Sequence, residues 1–385
     1  MDGIDRRTVL TGMLGVALAG TGCSSQEPEG PSPSPTPTPS PRPSLTPSPS
    51  PSPTPSPTPT ADLRPRWPLT GALIEDPQTP TRAAVAVKVP DNKNEHPQVG
   101  LNEADIVFVQ LDGYPDRKGY DGTRLMPVFH SRMAEAAAPV RSIRPVDAPL
   151  LAPMTAVIGS SGGAPWVMDY LAGFTDYISS DLVYIDMKKT GAYSVNRDRI
   201  YKYKGKTEYD RALVCHPAVL GEKAGVFAQG PQAPYLPFAT GDDLPSTTAG
   251  APASQVDVPW KGKDFVMGYT YDEASGTYLR SMPWGEHRLA DGSRVTTDNV
   301  LVIRAEQSRE KLIRGDGGAE PIHHIIDSSG TFVYSNGGRH VTGTWSKGAV
   351  PGPFSFVLED GSPLLMAPGR TFVELAAIEA PVQIS

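Results

Sequence analysis

Phe265-Val-Met-Gly-Tyr-Thr-Tyr-Asp-Glu-Ala-Ser-Gly-Thr-Tyr-Leu-Arg280 is the stretch that decides the fold class of this chain. Its ends, Phe265 to Tyr271 and Tyr278 to Arg280, are rich in aromatic and β-branched residues and predict two strands. Between them, Asp272-Glu-Ala-Ser-Gly276 supplies polar side chains and a glycine able to take the positive φ of a hairpin loop. The same pattern recurs downstream. Val300 to Arg304, Ile322 to Ile326, Phe332 to Tyr334, Val341 to Trp345, Phe354 to Leu358 and Phe372 to Leu375 are further β-runs, separated by Asp291-Gly292, Ser335-Asn-Gly-Gly338 and Asp360-Gly361. Almost no helix is indicated here, so residues 229–385 are expected to form a β-rich domain, a twisted antiparallel sheet or small barrel.

Upstream the pattern changes. Ala83 to Val89, Ile106 to Leu111, Leu125 to Phe129, Thr155 to Gly159 and Leu182 to Met187 predict strands, while Ala164 to Ala172 and Glu208 to Leu220 predict helices, the latter interrupted by Pro217. Residues 66–228 are therefore expected to be a mixed α/β N-terminal domain, and Gly230 to Gly250, rich in Pro, Gly, Ser and Thr, a boundary loop. The fold class expected is α+β, with two folded domains.

From Pro31 to Thr60 nearly every second residue is proline, alternating with Ser or Thr. Such a tract neither buries apolar surface nor forms a ladder; residues 23–65 are expected to be a disordered stalk whose Pro31 to Thr60 tract, extended at about 3.1 Å per residue, reaches roughly 90 Å. The first 22 residues carry Arg6-Arg7 and a short apolar run, Leu14 to Gly22, too short to span a bilayer, and predict a twin-arginine-type signal peptide. Leu18-Ala-Gly-Thr-Gly-Cys23 resembles a lipobox, with Gly20 where Leu or Val is preferred. Cleavage before Cys23 and lipidation of its thiol would hold the protein on the extracytoplasmic face of the cell membrane, since acyl chains contribute about 0.8 kcal/mol per buried methylene.

Composition narrows the partners. A net charge of −7 argues against a dedicated nucleic-acid binder. Of two cysteines, Cys23 is assigned to lipid, so Cys215 has no partner and the exported fold does without a disulfide. No cofactor or metal is implied by any motif. The oligomeric state is not encoded in a readable form.

Leu69-Thr-Gly71, Pro97-Gln98, Gly100-Leu101, Ala104-Asp-Ile-Val107, Thr123-Arg124 and Pro139-Val-Arg-Ser-Ile-Arg-Pro145 are similar to the N-terminal domain of the YerB-like lipoproteins. Tyr271 to Arg280, Asn299-Val300, Gly343-Thr-Trp-Ser-Lys347 and Pro368-Gly-Arg-Thr371 are similar to that family's C-terminal domain. Two departures stand out: Cys215-His-Pro217 where the family tends to Pro-His-Asn, and Phe372 in place of a usual Trp. The family is a domain of unknown function, so the resemblance implies architecture and envelope location but no reaction.

Four arginines, Arg124, Arg132, Arg141 and Arg144, with Asp147 close behind, form the densest chemical candidate. Arg keeps its charge and offers a planar fork of donors suited to carboxylate or phosphate, so these residues predict an anion-binding cleft. The competing reading is internal pairing with Asp105, Asp112 or Asp147. Gly159-Ser-Ser-Gly-Gly163 satisfies a nucleophile-elbow pattern, which would make Ser161 a nucleophile served by Asp176, Asp181 or Asp186 and by His216, His287 or His340. Against it, the chain lacks the βα series of such hydrolases. His323-His324 alternate across a strand and cannot both reach one ion, and the isolated pair Cys215-His216 lacks further ligands. Lys188 to Lys206 holds seven basic residues against Asp198 alone, expected as a hairpin with Lys202, Lys204 and Lys206 on one side and the tyrosines on the other.

These readings favour a non-catalytic, membrane-anchored binding or scaffold module for an anionic cell-wall polymer or envelope protein. The alternative is an envelope hydrolase or phosphoglycopolymer-acting enzyme using Ser161 or the arginines.

Overall fold

A computed structural model describes residues 64–76, 78, 79, 81–115, 121–261 and 265–385. The signal, Cys23 and nearly all of the expected stalk lie outside the described residues. The chain begins with β1 (Val85–Val87), β2 (Val89–Pro90), β3 (Ile106–Pro115) and β4 (Asp121–Phe129), then α1 (Asp147–Leu151), β5 (Val157–Gly159), α2 (Pro165–Ala172) and α3 (Tyr184–Met187). Short strands β6 (Tyr193–Val195), β7 (Tyr201–Tyr203), β8 (Lys206–Glu208) and β9 (Leu213–Cys215) precede α4 (Pro217–Gly221). The remainder is β10 (Ala251–Pro252), β11 (Gln255–Lys261), β12 (Phe265–Asp272), β13 (Thr277–Met282), β14 (Gly285–Glu286), β15 (Thr296–Thr297), β16 (Asn299–Ala305) and β17 (Gln307–Glu310). It ends with β18 (Glu320–His323), β19 (Ser328–Asn336), β20 (Arg339–Lys347), β21 (Phe354–Leu358), β22 (Thr371–Ala377) and β23 (Gln383–Ile384). The α+β class is as expected, and the 265–280 stretch is the β12–β13 hairpin, with Tyr271 opposite Tyr278 and Gly276 at φ +69° closing its loop.

One large sheet runs β10-β20-β19-β16-β22-β3-β4-β1-β5, with β2 beside β4 and β21 beside β20. The strand pairs β16–β22, β22–β3 and β1–β5 are parallel, and β4 runs antiparallel between β3 and β1. Seven strands, β1, β2, β3, β5, β16, β20 and β22, thus point the same way. The C-terminal half is expected as a twisted antiparallel sheet or small barrel; the long excursion from β16 through β21 lets the chain return as a parallel neighbour, which a tight hairpin cannot do. Because β22 bonds directly to β3, the halves share one sheet, and the described residues fall in one compact unit. The change near residue 228 is a change of element type across a continuous sheet.

A smaller sheet, β14-β13-β12-β11-β23 with β15 beside β13, packs through β11 on β22 and β4. Tyr269 stacks edge-on to Phe372 at 5.9 Å, and Trp260 Nε1 donates to Glu374 at 2.7 Å. Both rings are buried, and burying side chains of this kind stabilises by about 1.5–3 kcal/mol each.

Two helix and strand expectations fail locally. Leu182 to Met187 is not a strand: Leu182 and Val183 are buried, but Ile185 is exposed, and the chain turns into α3 after Val183 bridges Ser160. Glu208 to Leu220 is not a helix up to Pro217. Ala212, Leu213 and Cys215 are buried, with Leu213–Cys215 forming β9; His216 is held extended (φ −107°, ψ 94°) by the following proline, which then opens α4.

Candidate functional site

The co-directional strands end at the same edge of the large sheet. In sheets with parallel strands, ligands enter the crevice outside the carboxyl ends, where the intervening loops leave room. At that edge lies a cleft of about 1260 Å³. Its floor is formed by Asp112 at the end of β3, Arg124 near the start of β4, and Arg144 and Glu320. One wall is the loop after β2, with Asn92, Lys93 and Glu95, joined by Arg141 and Ser142. A second is aromatic, with Phe265 of β12 and the Pro283-Trp284 turn between β13 and β14. The third is largely backbone, from Gly163, Ala164, Pro165, Gly317 and Gly318.

Three of the four predicted arginines meet here. Arg124 pairs with Asp112 and donates to the Ser142 carbonyl at 2.9 Å. Arg144 reaches the Asp112 carboxylate at 3.3 Å, its backbone carbonyl at 3.2 Å and Glu320 at 3.4 Å. Arg141, with 24% of its side chain exposed, contacts Glu95 and reaches Asp210 at 2.9 Å. Asn92 ties the loop to the floor, donating to Glu95 at 3.1 Å and Asp112 at 3.2 Å. Arg132 is elsewhere: it is exposed and donates to the Asn102 carbonyl at 3.0 Å. The arginines are therefore both convergent and internally paired. Of the partners offered by the sequence, Asp112 takes two guanidinium groups and Asp147 accepts the Arg144 backbone N–H at 2.7 Å, whereas Asp105 holds Ser131. Glu95, Asp210 and Glu320 were not foreseen. Among the described residues the cleft lining carries four cations, Lys93 included, against three carboxylates, so this lining is only weakly positive.

Behind the floor, the ammonium of Lys88 is fully buried and donates to Gln110 and Asp147, each at 2.7 Å. Burial pushes its pKa down to about 8 against the pull of Asp147. His323 is also buried; its Nε2 accepts the Leu111 N–H at 3.1 Å, and burial with Lys88 nearby lowers it to about 3. His324 faces away, bonding Ser308 at 2.8 Å and Glu310 at 3.5 Å, in keeping with the alternation of a strand.

A second polar cluster backs the aromatic wall, where His96 meets Trp284 edge to face at 5.2 Å. Asp91, His96 and His287 bring ligand atoms within 4.8 Å of one another. The cluster already contains its cation: Arg280 Nη2 bonds Asp91 at 2.8 Å and Nη1 donates to His287 Nδ1 at 2.8 Å, leaving His287 Nε2–H to donate to Gln98 at 2.8 Å. Burial opposes charge on Asp91, yet Arg280 and His96 hold its carboxyl well below the usual range. Burial and Arg280 keep His287 neutral. This network joins the N-terminal half to the C-terminal half.

Ser161 is exposed, with Ser142 Oγ at 3.4 Å as its hydroxyl neighbour. The histidines proposed for a triad are engaged elsewhere: His216 with Ser194 and the Glu135 carbonyl, His287 with Arg280 and Gln98, and His340 with the Pro252 carbonyl. The nucleophile reading therefore lacks its base among the described residues. In the basic segment, β7 and β8 do form a hairpin, but Tyr203 is opposite Lys206 and Lys202 opposite Thr207. Opposed residues share a face, so Lys206 lies with Tyr203, and Lys204 sits in the turn at φ +47°. Among the described residues no helix is long and apolar enough to cross a membrane.

Sequence reasoning missed the aromatic wall and the loop carboxylates. A Pro-Trp-Gly turn between two strands, and a glutamate directly after a glycine-rich loop, were the available signals.

The family model described as "Protein of unknown function (DUF3048) N-terminal domain" matches residues 69–213, and its companion C-terminal domain model matches residues 256–373. A curated relative, "Putative lipoprotein YerB" of Bacillus subtilis (strain 168), is 25% identical over 319 residues, covering 80% of this chain and 85% of the relative. The crystal structure of YerB protein from Bacillus subtilis superposes with a TM-score of 0.64 at 20% identity, covering 83% of this chain and 100% of that one.

Proposed function

We propose that this chain, which belongs to the DUF3048 family of proteins of unknown function, is a lipid-anchored, extracytoplasmic binding module whose cleft takes an anionic ligand of the cell envelope. The lipid is carried on Cys23, and the Pro-rich stalk spaces the folded unit from the membrane. The observation that carries the reading is the convergence of Arg124, Arg141 and Arg144 on one open cleft at the carboxyl edge of the parallel strands. Their pairing is incomplete, since Nε of Arg124 and of Arg141 finds no acceptor among the described residues. A buried donor without a partner costs about 1–3 kcal/mol, and an anion that turns these guanidinium groups toward itself recovers it.

The test uses the full chain with Cys23→Ser, titrated calorimetrically at low salt with tetragalacturonate and with tetraglutamate. Arg141→Gln is expected to weaken binding about tenfold or more, the loss of one charge-assisted hydrogen bond, and to flatten the salt dependence. Arg132→Gln, outside the cleft, is expected to change neither. Absence of binding by any polyanion removes the anion reading. A membrane-fraction assay checks the anchor: Cys23→Ser should move the protein out of the membrane fraction.

A further inference from the structure

We propose that the ligand of the cleft is a glycan: a chain of pyranose rings bearing carboxylates, with one ring seated against Trp284. This rests on the anion-binding reading above and narrows it. Three observations point to rings in place of bare charge. First, the lining charges nearly cancel, so the cleft is a poor sink for a simple polyanion, whereas planar guanidinium and carboxylate groups side by side suit alternating hydroxyl acceptors and donors. Second, Trp284 is half-buried against Phe265 at 6.3 Å and against His96 at 5.2 Å, which fixes the indole while leaving part of it in the cleft. An aromatic surface of this kind packs on the apolar C–H face of a sugar ring and gains less from the separate methylenes of an acyclic chain. Third, part of the described lining is small: Gly163, Ala164, Pro165, Gly317 (φ +107°, with Ala164 and Pro165 beside it) and Gly318 contribute little beyond backbone, which leaves room for a bulky ring. At about 1260 Å³ the cleft exceeds the roughly 300–1,000 Å³ of a small-molecule pocket, which fits a polymer segment.

The experiment compares tetragalacturonate with tetraglutamate, equal in carboxylate number but without rings, and cellotetraose, which has rings without charge, on the full chain with Cys23→Ser. Tetragalacturonate is expected to bind about tenfold tighter than either control. Trp284→Ala should erase that advantage while leaving tetraglutamate affinity unchanged, with a lower melting temperature from the lost packing on Phe265 and His96, and Trp284→Phe should restore part of the advantage. Equal affinity for tetragalacturonate and tetraglutamate, or equal weakening of both by Trp284→Ala, overturns the glycan inference and leaves the anion reading standing. Cellotetraose binding as well as tetragalacturonate also overturns it, because the carboxylates then contribute nothing. Failure of all three ligands to bind overturns both.

Discussion

Replacing Arg280 with methionine tests the polar cluster that joins the halves. The side chains of Arg280 and Asp91 are fully buried and 2.8 Å apart. Removing one partner of a buried pair leaves an uncompensated charge and costs about 3–5 kcal/mol. The same change deprives His287 Nδ1 and the Tyr269 hydroxyl, 3.2 Å from Arg280 Nε, of their guanidinium neighbour. It also removes the cation from above the Phe372 ring at 5.5 Å, for which a methionine thioether is a partial substitute. The expected fall in unfolding free energy at pH 7 is therefore about 3–5 kcal/mol, read as a lower urea midpoint at unchanged slope. The pH dependence has a definite sign. In the wild type, Asp91 is depressed below its unfolded value of 3.8, so its contribution is complete above that value and is lost only at still lower pH. In the variant, burial acts on Asp91 without Arg280, its pKa moves upward, and acidification relieves the buried charge. The deficit should narrow between pH 7 and pH 5, and adding Asp91→Asn should recover part of it. A loss below about 1 kcal/mol, or a deficit as large at pH 5 as at pH 7, would refute the reasoning.

Lys88→Met isolates the buried ammonium behind the floor. Its folded pKa of about 8 lies below the unfolded 10.5, so the unfolded chain binds more protons in that window, and wild-type stability gains up to about 1.4 kcal/mol per pH unit from this group. The difference between wild type and Lys88→Met should grow from pH 7.5 to 9.5; parallel stability curves would show that Lys88 is not the group. His323→Gln tests the opposite end of the scale, because His323 titrates near 3 when folded and near 6.5 when unfolded. Wild-type stability should fall below pH 6.5 more steeply than that of the variant, whose amide oxygen still accepts the Leu111 N–H, and equal slopes in chemical denaturation count against it. Gly343→Ala should destabilise by more than about 1–3 kcal/mol, since an added Cβ would lie 2.1 Å from the Val357 carbonyl oxygen between β20 and β21; a wild-type melting temperature would mean the strands can part.

The sequence was most legible where structure is local. Hairpins closed by Asp272 to Gly276 and Ser335 to Gly338 are written in alternation and in glycines that reach positive φ, and β12–β13 and β19–β20 follow that pattern. Legibility ended where a neighbour is chosen from far away. Nothing within Thr371–Ala377 says that it lies between β16 and β3 in parallel with both, because a strand buried on both faces reads as mostly apolar, here broken by Glu374, whichever partner it takes. Pro217 illustrates a local rule that was available and outweighed by apparent periodicity: it fixes His216 as extended, so no helix passes through it.

The arginines show the same division for the site. Their closeness in sequence is matched by the convergence of Arg124, Arg141 and Arg144, because β4 starts at the edge of the sheet to which the loop after it returns, while Arg132 lies elsewhere. Their charge state as a group was not readable, since Glu95, Asp210 and Glu320 arrive from three other segments. Those carboxylates change what the cleft discriminates. Four cations alone would attract any polyanion over a Debye length of about 8–10 Å, with affinity falling steeply in salt. With three carboxylates set among them, long-range attraction largely cancels and binding depends on a ligand that meets donors and acceptors in register. Specificity must then come from shape and short contacts, which places the discriminating weight on the Trp284 wall and the small glycine-lined part of the lining.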